Sequence, residues 1–361
     1  MAEKADIKYI KLALELAKKA RGKTSPNPMV GSVIVKNNRI IGQGYHRKAG
    51  TAHAERIALG KAGKLAKNSV LYVTLEPCCH FGRTAPCTLA IIEAGVKKVV
   101  YCMKDPNPKV NGQGIKILKK AGIEVIGNVM TKQAKRLNEV YLKNITTNRP
   151  FVVLKMAQSI DGRIATSNGH SQWISGKESR KFVHGLRSEN DAVVVGSGTV
   201  KADNPSLTVR LIKGKNPYRI IISANPKFAS NINLYKNNND CKTIVATSKK
   251  SAEKANIKNL TVWSIKKNRQ GLSLSDFLDK AGKFGITSIL VEGGSQLATS
   301  FIREQLVDKF HFITAPMIIG KGMDTINDLG IRHLDKAVRF KEYEIDKMGN
   351  DIKITGYPEY K

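Results

Sequence analysis

The sequence has no uninterrupted apolar run near the ~20 residues that a membrane-crossing helix needs. Its N-terminal stretch, residues 1–22, interleaves Ile7, Ile10, Leu12, Leu14 and Leu16 with charges, which excludes a signal-type apolar core. The cytoplasm is therefore the expected compartment, with no membrane partner. Cysteine is scarce and odd in number at five, and without a secretion signal this argues for reduced thiols over a disulfide framework. No internal repeat of the solenoid kind and no heptads occur. The G-x-G-x-x-G fingerprint of an ordinary dinucleotide fold is also missing. Acidic residues are few, 29 against 61 Lys and Arg, for a net charge of +32. The excess is spread as +18 over residues 1–148 and +14 over the remainder. A nucleic-acid binder concentrates its charge in an arm or stripe, so this reads as a Lys/Asn/Ile-biased composition on solvated surfaces, as in "NLYKNNNDCK". A field of this sign also suits an anionic substrate.

What is present is an alternation of helix-like and strand-like segments over 361 residues, too many for one core. Residues 6–21 have helical periodicity, "SPNP" breaks the chain, and "MVGSVIVKNNRIIGQG" reads as a hairpin about an Asn-containing turn. A helix starting near His53, the strand "SVLYVTL", the helix "CTLAIIEAG" and the strand "KKVVYCM" follow. "GIKILKKAG" and "IEVIG" repeat the pattern, and a helix around Gln133–Asn144 closes a layered α/β domain over 1–148. "TTNRP" is the expected joint. A second α/β domain, 149–361, has strands "FVVLKMAQS", "DAVVVGSG", "YRIIIS", "KTIVATS", "LTVWSI", "GITSILVEGG" and "KFHFITAPMIIG", with the Lys/Asn-rich stretch 225–270 expected at the periphery.

Three of the five cysteines fall within the ten residues Cys78–Cys87, and "HAE", His53 to Glu55, lies just upstream. A catalytic zinc takes three protein ligands and keeps one position for water, whose pKa it lowers to about 7. His53, Cys78 and Cys87 supply one imidazole and two thiolates, and Glu55 can move the water's proton without being a ligand. A structural zinc would need a fourth ligand, from His80 or Cys79, and would have no use for Glu55. Cys79 is taken as a bystander, because two consecutive residues seldom both ligate one ion. Cys78 and Cys87 are separated by eight residues, not the two of Pro-Cys-x-x-Cys.

"SPNPMVGSVIV", "HAE", "VTLEPCCHFGRTAPC" and "DPNPKVNGQGIKILKKAGIEV", followed by "SIDGRIA", "SQWIS", "VGSGTVKADNPSLTVR" and "VEGGSQLA", resemble the bifunctional riboflavin-biosynthesis deaminase–reductases. The resemblance covers almost the whole chain. It implies a cytidine-deaminase-like three-layer α/β/α domain followed by a dihydrofolate-reductase-like α/β domain. The implied chemistry is zinc-hydroxide deamination of 2,5-diamino-6-(5-phosphoribosylamino)pyrimidin-4(3H)-one, then NADPH reduction of the ribosyl group to give 5-amino-6-(5-phosphoribitylamino)uracil. One Zn2+ per chain and NADPH are the implied cofactors. Glu55 is the implied catalytic residue, and Asn27, His46, His80 and Arg83 match positions lining the deaminase pocket. Their plainer readings are a turn former for Asn27, a strand cap for His46 and a surface charge for Arg83. Cys79 stands where the family commonly has serine, and Ala85 where it commonly has proline.

In the second half, "ILVEGGSQLATSFI" runs from a strand through Gly-Gly into a helix, whose N-terminus suits a phosphate. "VVVGSGTV" is a second glycine-ended strand. By resemblance, Ala157, Trp173, Thr199, Asp203 and the segment Gly294, Ser295, Gln296, Leu297, Ala298, Thr299 and Ser300 face the cofactor. Lys155, Ser171, Arg187, Leu207, Arg210 and Glu292 face the substrate, with the arginines on its phosphate and Lys155 and Asp203 assisting ring opening. A helix-end ion pair for Arg187 and core packing for Trp173 are the plainer readings. Similar enzymes assemble as homo-oligomers through the reductase domain. The alternative weighed is an RNA-editing (tRNA) zinc deaminase with a basic accessory domain, and beyond it a zinc-stabilised nucleic-acid-binding protein. The eight-residue spacing and the absence of aromatic RNA platforms count against the former, and Glu55 against the latter.

Overall fold

In the computed structural model, which describes residues 3–82, 85–254 and 260–360, the alternation of the first half becomes α1 (Lys4–Lys18), β1 (Gly31–Lys36), β2 (Arg39–Tyr45), α2 (Ala54–Ala62), β3 (Val70–Val73), α3 (Cys87–Glu93), β4 (Lys98–Tyr101), α4 (Gln113–Lys120), β5 (Glu124–Ile126), α5 (Thr131–Leu137) and α6 (Glu139–Thr147). They belong to one compact unit, Met1–Asn148, and Arg149–Lys361 forms the other. Asn37 and Asn38, with φ of 48° and 60°, turn the chain between β1 and β2, the positive pair that a two-residue hairpin turn requires. The sheet order is β2-β1-β3-β4-β5, antiparallel at β1 and parallel from β3 onward.

Glycines let helices approach both faces of this sheet. A Cβ at Gly31 would lie 2.0 Å from the Ala13 carbonyl of α1. On the opposite face, where Ser32 pairs with Gly44 and Ile34 with Gly42, a Cβ at Gly42 would lie 2.2 Å from the Ala58 carbonyl of α2. Successive strand residues alternate between faces, so the sheet is sandwiched in three α/β/α layers. Ile10, Ala13 and Ala17 of α1 join Val33, Ile34, Leu71 and Val99 in its core.

The helix expected around Gln133–Asn144 is two helices, broken at Asn138 (φ −108°). The buried Asn138 amide donates to the Met29 carbonyl (3.0 Å) and accepts from the Met29 N–H (2.7 Å). A side chain committed to a distant main chain in this way interrupts the helix and fixes the segment entering β1.

The second unit contains β6 (Phe151–Ser159), β7 (Arg163–Thr166), α7 (Lys177–Glu189), β8 (Ala192–Gly196), α8 (Ser197–Asp203), β9 (Tyr218–Ile222), α9 (Asn233–Lys236), β10 (Thr243–Ser248), α10 (Lys249–Lys254), β11 (Thr261–Ile265), β12 (Lys267–Asn268), β13 (Gly271–Leu272), α11 (Leu274–Lys283), β14 (Ser288–Glu292), α12 (Ser295–Arg303), β15 (Lys309–Ala315), β16 (Gly322–Asp324), β17 (Arg339–Met348) and β18 (Asp351–Glu359). Nine strands form one sheet in the order β11-β10-β9-β8-β14-β6-β15-β18-β17. It is parallel from β11 to β15 and antiparallel through β18 and β17. The β17–β18 hairpin is an addition to the expected strands, because β17, "RFKEYEIDKM", is a mostly exposed edge strand without a buried apolar face. Within 225–270, β11 lies at the sheet edge as expected, but all six residues of β10 are buried.

Asn138→Ala leaves both polar groups of Met29 without their partner and is expected to cost the first unit about 2 kcal/mol. Denaturant unfolding checks this, and a loss below about 0.5 kcal/mol would mean that the clamp is replaceable.

Candidate functional site

His53 is the N-cap of α2, Glu55 stands in that helix's first turn, Cys78 follows β3, and Cys87 opens α3. Their side chains converge. The His53 Nδ1 lies 3.4 Å from Cys78 Sγ and 3.3 Å from Cys87 Sγ, and the three donor atoms lie within 4.8 Å of one another. A zinc ion with Zn–N near 2.0–2.1 Å and Zn–S near 2.3 Å spaces tetrahedral N and S ligands by about 3.5 Å. The set therefore fits zinc in both chemistry and spacing. Cys87 and Cys78 share a proton: the Cys87 thiol holds Cys78 down at about 4, while the Cys87 thiol is pushed well above its usual value by that same bond. The resulting thiolate at Cys78 raises His53 through their hydrogen bond. Glu55 is 3% exposed, and burial, then the Cys78 charge, push its carboxyl up to about 7. Cys79 is turned elsewhere, with its sulfur on the Lys109 carbonyl.

His53, Glu55 and Cys78 border a cavity of about 450 Å³ that also takes in Asn27, His46 and His80. His46 is buried and held neutral by burial. Its Nδ1 faces the Ala52 carbonyl (3.2 Å), so Nε2 is the acceptor for the Asn27 amide (3.1 Å). The His80 Nδ1 is buried without a hydrogen-bond partner among the described residues, a polar atom open to a ligand. Arg83 lies outside the described residues. Two anchors escaped sequence reasoning. Arg56, beside Glu55, donates to the carbonyls of Ala85 and Pro86, steering the chain into Cys87. The buried Glu76, two residues before Cys78, accepts from the N–H groups of Asp105 (3.2 Å), Gly112 (2.9 Å) and Ile115 (3.2 Å), binding the cysteine loop to the start of α4. Only its place before Pro-Cys could have signalled it.

In the second unit a cavity of about 580 Å³ brings together Lys155, Ala157, Ser171, Trp173, Arg187, Asp203, Leu207, Arg210 and Glu292. Glu292 and Lys155 are register partners on β14 and β6, hence on one face. Burial pulls the Lys155 ammonium below its ordinary value, against the opposing pull of Glu292. Arg187 grips Glu292 bidentately (2.7 and 2.9 Å) and donates its third nitrogen to the Thr208 carbonyl (3.3 Å). Burial alone would raise the Glu292 carboxyl, and Arg187 overrides it to leave it lowered. Arg187, expected with Arg210 on a phosphate, thus spends three of its five N–H donors on Glu292 and Thr208. Arg210 remains exposed, and Arg180, absent from the expected set, stacks its guanidinium 4.6 Å above the Trp173 ring. Trp173 is 68% exposed, which excludes core packing.

The other expected cofactor residues are Thr199, in α8, and the segment 294–300, which follows β14. The Gly294 N–H donates to Thr199 Oγ1 (2.9 Å), so the adjacent strands β14 and β8 end in linked glycine turns. The Gly294 turn leads into the N-terminus of α12, whose first N–H groups are the donors that a phosphate-bearing cofactor such as NADPH takes. Ser295, Ala298 and Thr299 are buried on the inner side of α12, Gln296 is exposed, Leu297 is half-buried, and Ser300 donates to the Gln296 carbonyl.

Two measurements probe these anchors. Glu76→Gln replaces an acceptor of three N–H groups with a half-donor amide, and zinc transfer to a chromophoric chelator is expected to quicken about tenfold; an unchanged rate would exclude Glu76 from holding the cysteine loop. In the second unit, burial and then the charges of Arg187 and Arg210 pull His184 from 6.5 to about 4. Between these values the unfolded chain binds more protons than the folded one, so His184 withdraws stability as pH falls from 6.5 toward 4. Urea midpoints at pH 7 and pH 5 should fall more in the wild type than in His184→Asn, and equal falls would refute the linkage.

The cytidine and deoxycytidylate deaminase zinc-binding region matches residues 3–103, and the RibD C-terminal domain matches residues 150–354. The riboflavin biosynthesis protein RibD of Aquifex aeolicus is 45% identical over 98% of this chain and 99% of its own, and that of Escherichia coli is 39% identical over 95% and 97%. Among solved structures, Acinetobacter baumannii RibD superposes with a TM-score of 0.89 at 36% identity, covering 99% of each chain. The diaminohydroxyphosphoribosylaminopyrimidine deaminase/5-amino-6-(5-phosphoribosylamino)uracil reductase of Thermotoga maritima gives 0.86 at 36%, covering 98% and 99%. With a zinc-fitting thiolate pair in one unit and glycine-ended strands beside a basic cavity in the other, the chain belongs to the RibD family of bifunctional riboflavin-biosynthesis deaminase–reductases.

Proposed function

We propose that the two units run consecutive reactions. The first hydrolyses the 2-amino group of 2,5-diamino-6-(5-phosphoribosylamino)pyrimidin-4(3H)-one, and the second reduces the product's ribosyl group with NADPH to 5-amino-6-(5-phosphoribitylamino)uracil. The observation that carries the reading is the cluster of His53, Cys78 and Cys87 with Glu55 buried beside it at the wall of a cavity. Zinc on these ligands supplies Lewis acidity and a nucleophile at neutral pH. Glu55 takes a proton from the attacking water and gives it to the ring nitrogen beside the reacting carbon, then carries the second proton, from the new hydroxyl, to the departing amine, so that water and the amino-substituted C=N become a carbonyl, a ring N–H and ammonia. Asn27, His46 and the open Nδ1 of His80 hold the pyrimidine, a reading supported by their common cavity.

In the second unit NADPH supplies the hydride. Lys155, lowered by burial, gives a proton to the ribose ring oxygen as the sugar opens, and Glu292, held by Arg187, orients its hydroxyls. Asp203, bonded to Ser171 at the cavity wall, assists. The lining sets Lys155, Arg180, Arg187 and Arg210 against Asp203 and Glu292, an excess of two positive charges that suits a phosphate dianion. Assembly as a homo-oligomer through this unit is supported by the edge strand β17, which exposes Tyr343 (65%) and Ile345 (63%). No described helix is long and apolar enough to cross a membrane, in keeping with a cytoplasmic enzyme. The tRNA-editing alternative is not favoured, because the second half matches the RibD C-terminal domain.

The test is ammonia release from the diaminopyrimidinone substrate with NADPH absent. Glu55→Gln should lower the rate by about 10²–10⁴-fold while zinc content stays at wild-type level. A folded, zinc-loaded wild type that releases no ammonia would overturn the reading.

A further inference from the structure

Helix α7 turns Arg180, His184 and Arg187 toward the same cavity, at the spacing of one helix face. Arg187 is paired with Glu292 and Arg180 stacks on Trp173 and donates to the Ser175 carbonyl (2.8 Å), but His184 does something different. The ring is 6% exposed, and its Nδ1 accepts the main-chain N–H of Arg210 at 2.9 Å and of Leu211 at 3.4 Å. A nitrogen that accepts two N–H groups carries no proton, so the ring hydrogen sits on Nε2.

The segment held in this way needs holding. It begins at Asn204 with φ 40° and passes through Leu207 with φ 52°. Left-handed backbone at non-glycine residues persists only where the surroundings impose it. Leu207 is buried, Arg187 holds the Thr208 carbonyl, Asn216 accepts the Val209 N–H at 2.8 Å, and His184 takes the next two N–H groups. The Arg210 guanidinium leaves the main chain at the point where His184 grips it. Its Nη1 is further bonded to Thr208 Oγ1 at 2.8 Å. The charged groups facing the imidazole are Arg187 on its own helix, Arg210 on the loop and Glu292 on β14. Burial, and then two cations against one anion, keep the ring neutral, and a proton on Nδ1 would turn the acceptor of both N–H groups into a competing donor.

We propose that His184 is a positioning residue of the reductase cavity: its Nδ1 fixes the main chain at Arg210 and Leu211 and so places the Arg210 guanidinium to receive the phosphate of the sugar-phosphate substrate. The role rests on the reductase function proposed above, and Arg210 is the cation it serves because His184 holds that residue's own main chain and its side chain is exposed, whereas Arg187 is committed to Glu292 and Thr208.

Two substitutions separate the ring nitrogens. An Asn side chain puts an acceptor near the position of Nδ1, whereas Gln reaches toward Nε2 and leaves Nδ1 vacant. In the full-length, zinc-loaded chain, with NADPH oxidation as readout, His184→Gln is expected to raise KM for 5-amino-6-(5-phosphoribosylamino)uracil about tenfold while kcat changes less than about twofold. His184→Asn should return KM to within about threefold of wild type. Hydrogen exchange read by mass spectrometry should show the amides of Arg210 and Leu211 exchanging faster in the Gln variant and at the wild-type rate in the Asn variant. An unchanged KM in the Gln variant, an Asn variant as impaired as Gln, or a loss confined to kcat would overturn the proposal. If the wild type itself fails to oxidise NADPH with this substrate, the functional reading falls. Amide exchange then still decides, because wild-type protection in the Gln variant would overturn the grip of His184 on the loop.

Discussion

Two thiols and an imidazole gathered within 4.8 Å in a protein interior repel as thiolates and waste burial as thiols. A divalent cation resolves the conflict, and much of the first unit is arranged to maintain it. No element supplies more than one of the three donors: the N-cap of α2 gives His53, the loop after β3 gives Cys78, and the first residue of α3 gives Cys87. Each needs its own anchor, since an N-cap and two loop-end cysteines have little intrinsic rigidity. Glu76 ties the Cys78 loop to α4, Arg56 ties the approach to Cys87 back onto α2, and a Cβ at Gly114 would come within 2.2 Å of the Pro77 carbonyl. The cluster is thus the point at which separate supports meet, which explains why so many polar side chains around it are buried and bonded to main chain.

The second unit solves a different problem with one charged centre. Glu292 is the last residue of a buried strand and would be costly there without a partner. Arg187 meets it in the fork geometry that guanidinium and carboxylate share, and Lys155 stands beside it in register. The three cannot be varied independently: removing Arg187 would leave an acid in a low-dielectric wall, and removing Glu292 would leave two cations facing each other. The cavity lies at the carboxyl ends of parallel strands, where an open α/β sheet leaves a crevice for ligands.

The zinc donors and Glu55 were legible because their chemistry requires particular residue types at short, ordered spacings. Most strands were legible as well, since buried parallel strands are continuous apolar runs such as "SILVE" and "AVVVG". Three things were not. The break at Asn138 depends on Met29, 109 residues away, and no local propensity encodes it. The β17–β18 hairpin is closed by Gly349 (φ 64°), but β17 is charged and exposed, so its pattern resembles a surface loop. The carboxylate that Arg187 pairs with was not legible either, because Glu292 lies 105 residues away and only the fold brings the two together.

His184 illustrates the same limit from the other side. In sequence it is one histidine among seven, within a helix whose polar residues could equally face solvent. Its meaning comes from three facts that no local window contains: it is buried, its Nδ1 meets two N–H groups from a loop 26 and 27 residues away, and arginines flank it. A lysine or arginine at that site could not accept those bonds, and an aspartate would pair with the arginines and cancel their charge. A neutral acceptor of fixed geometry leaves the cavity's positive charge for the ligand. The choice of imidazole follows from its burial and from the charges around it.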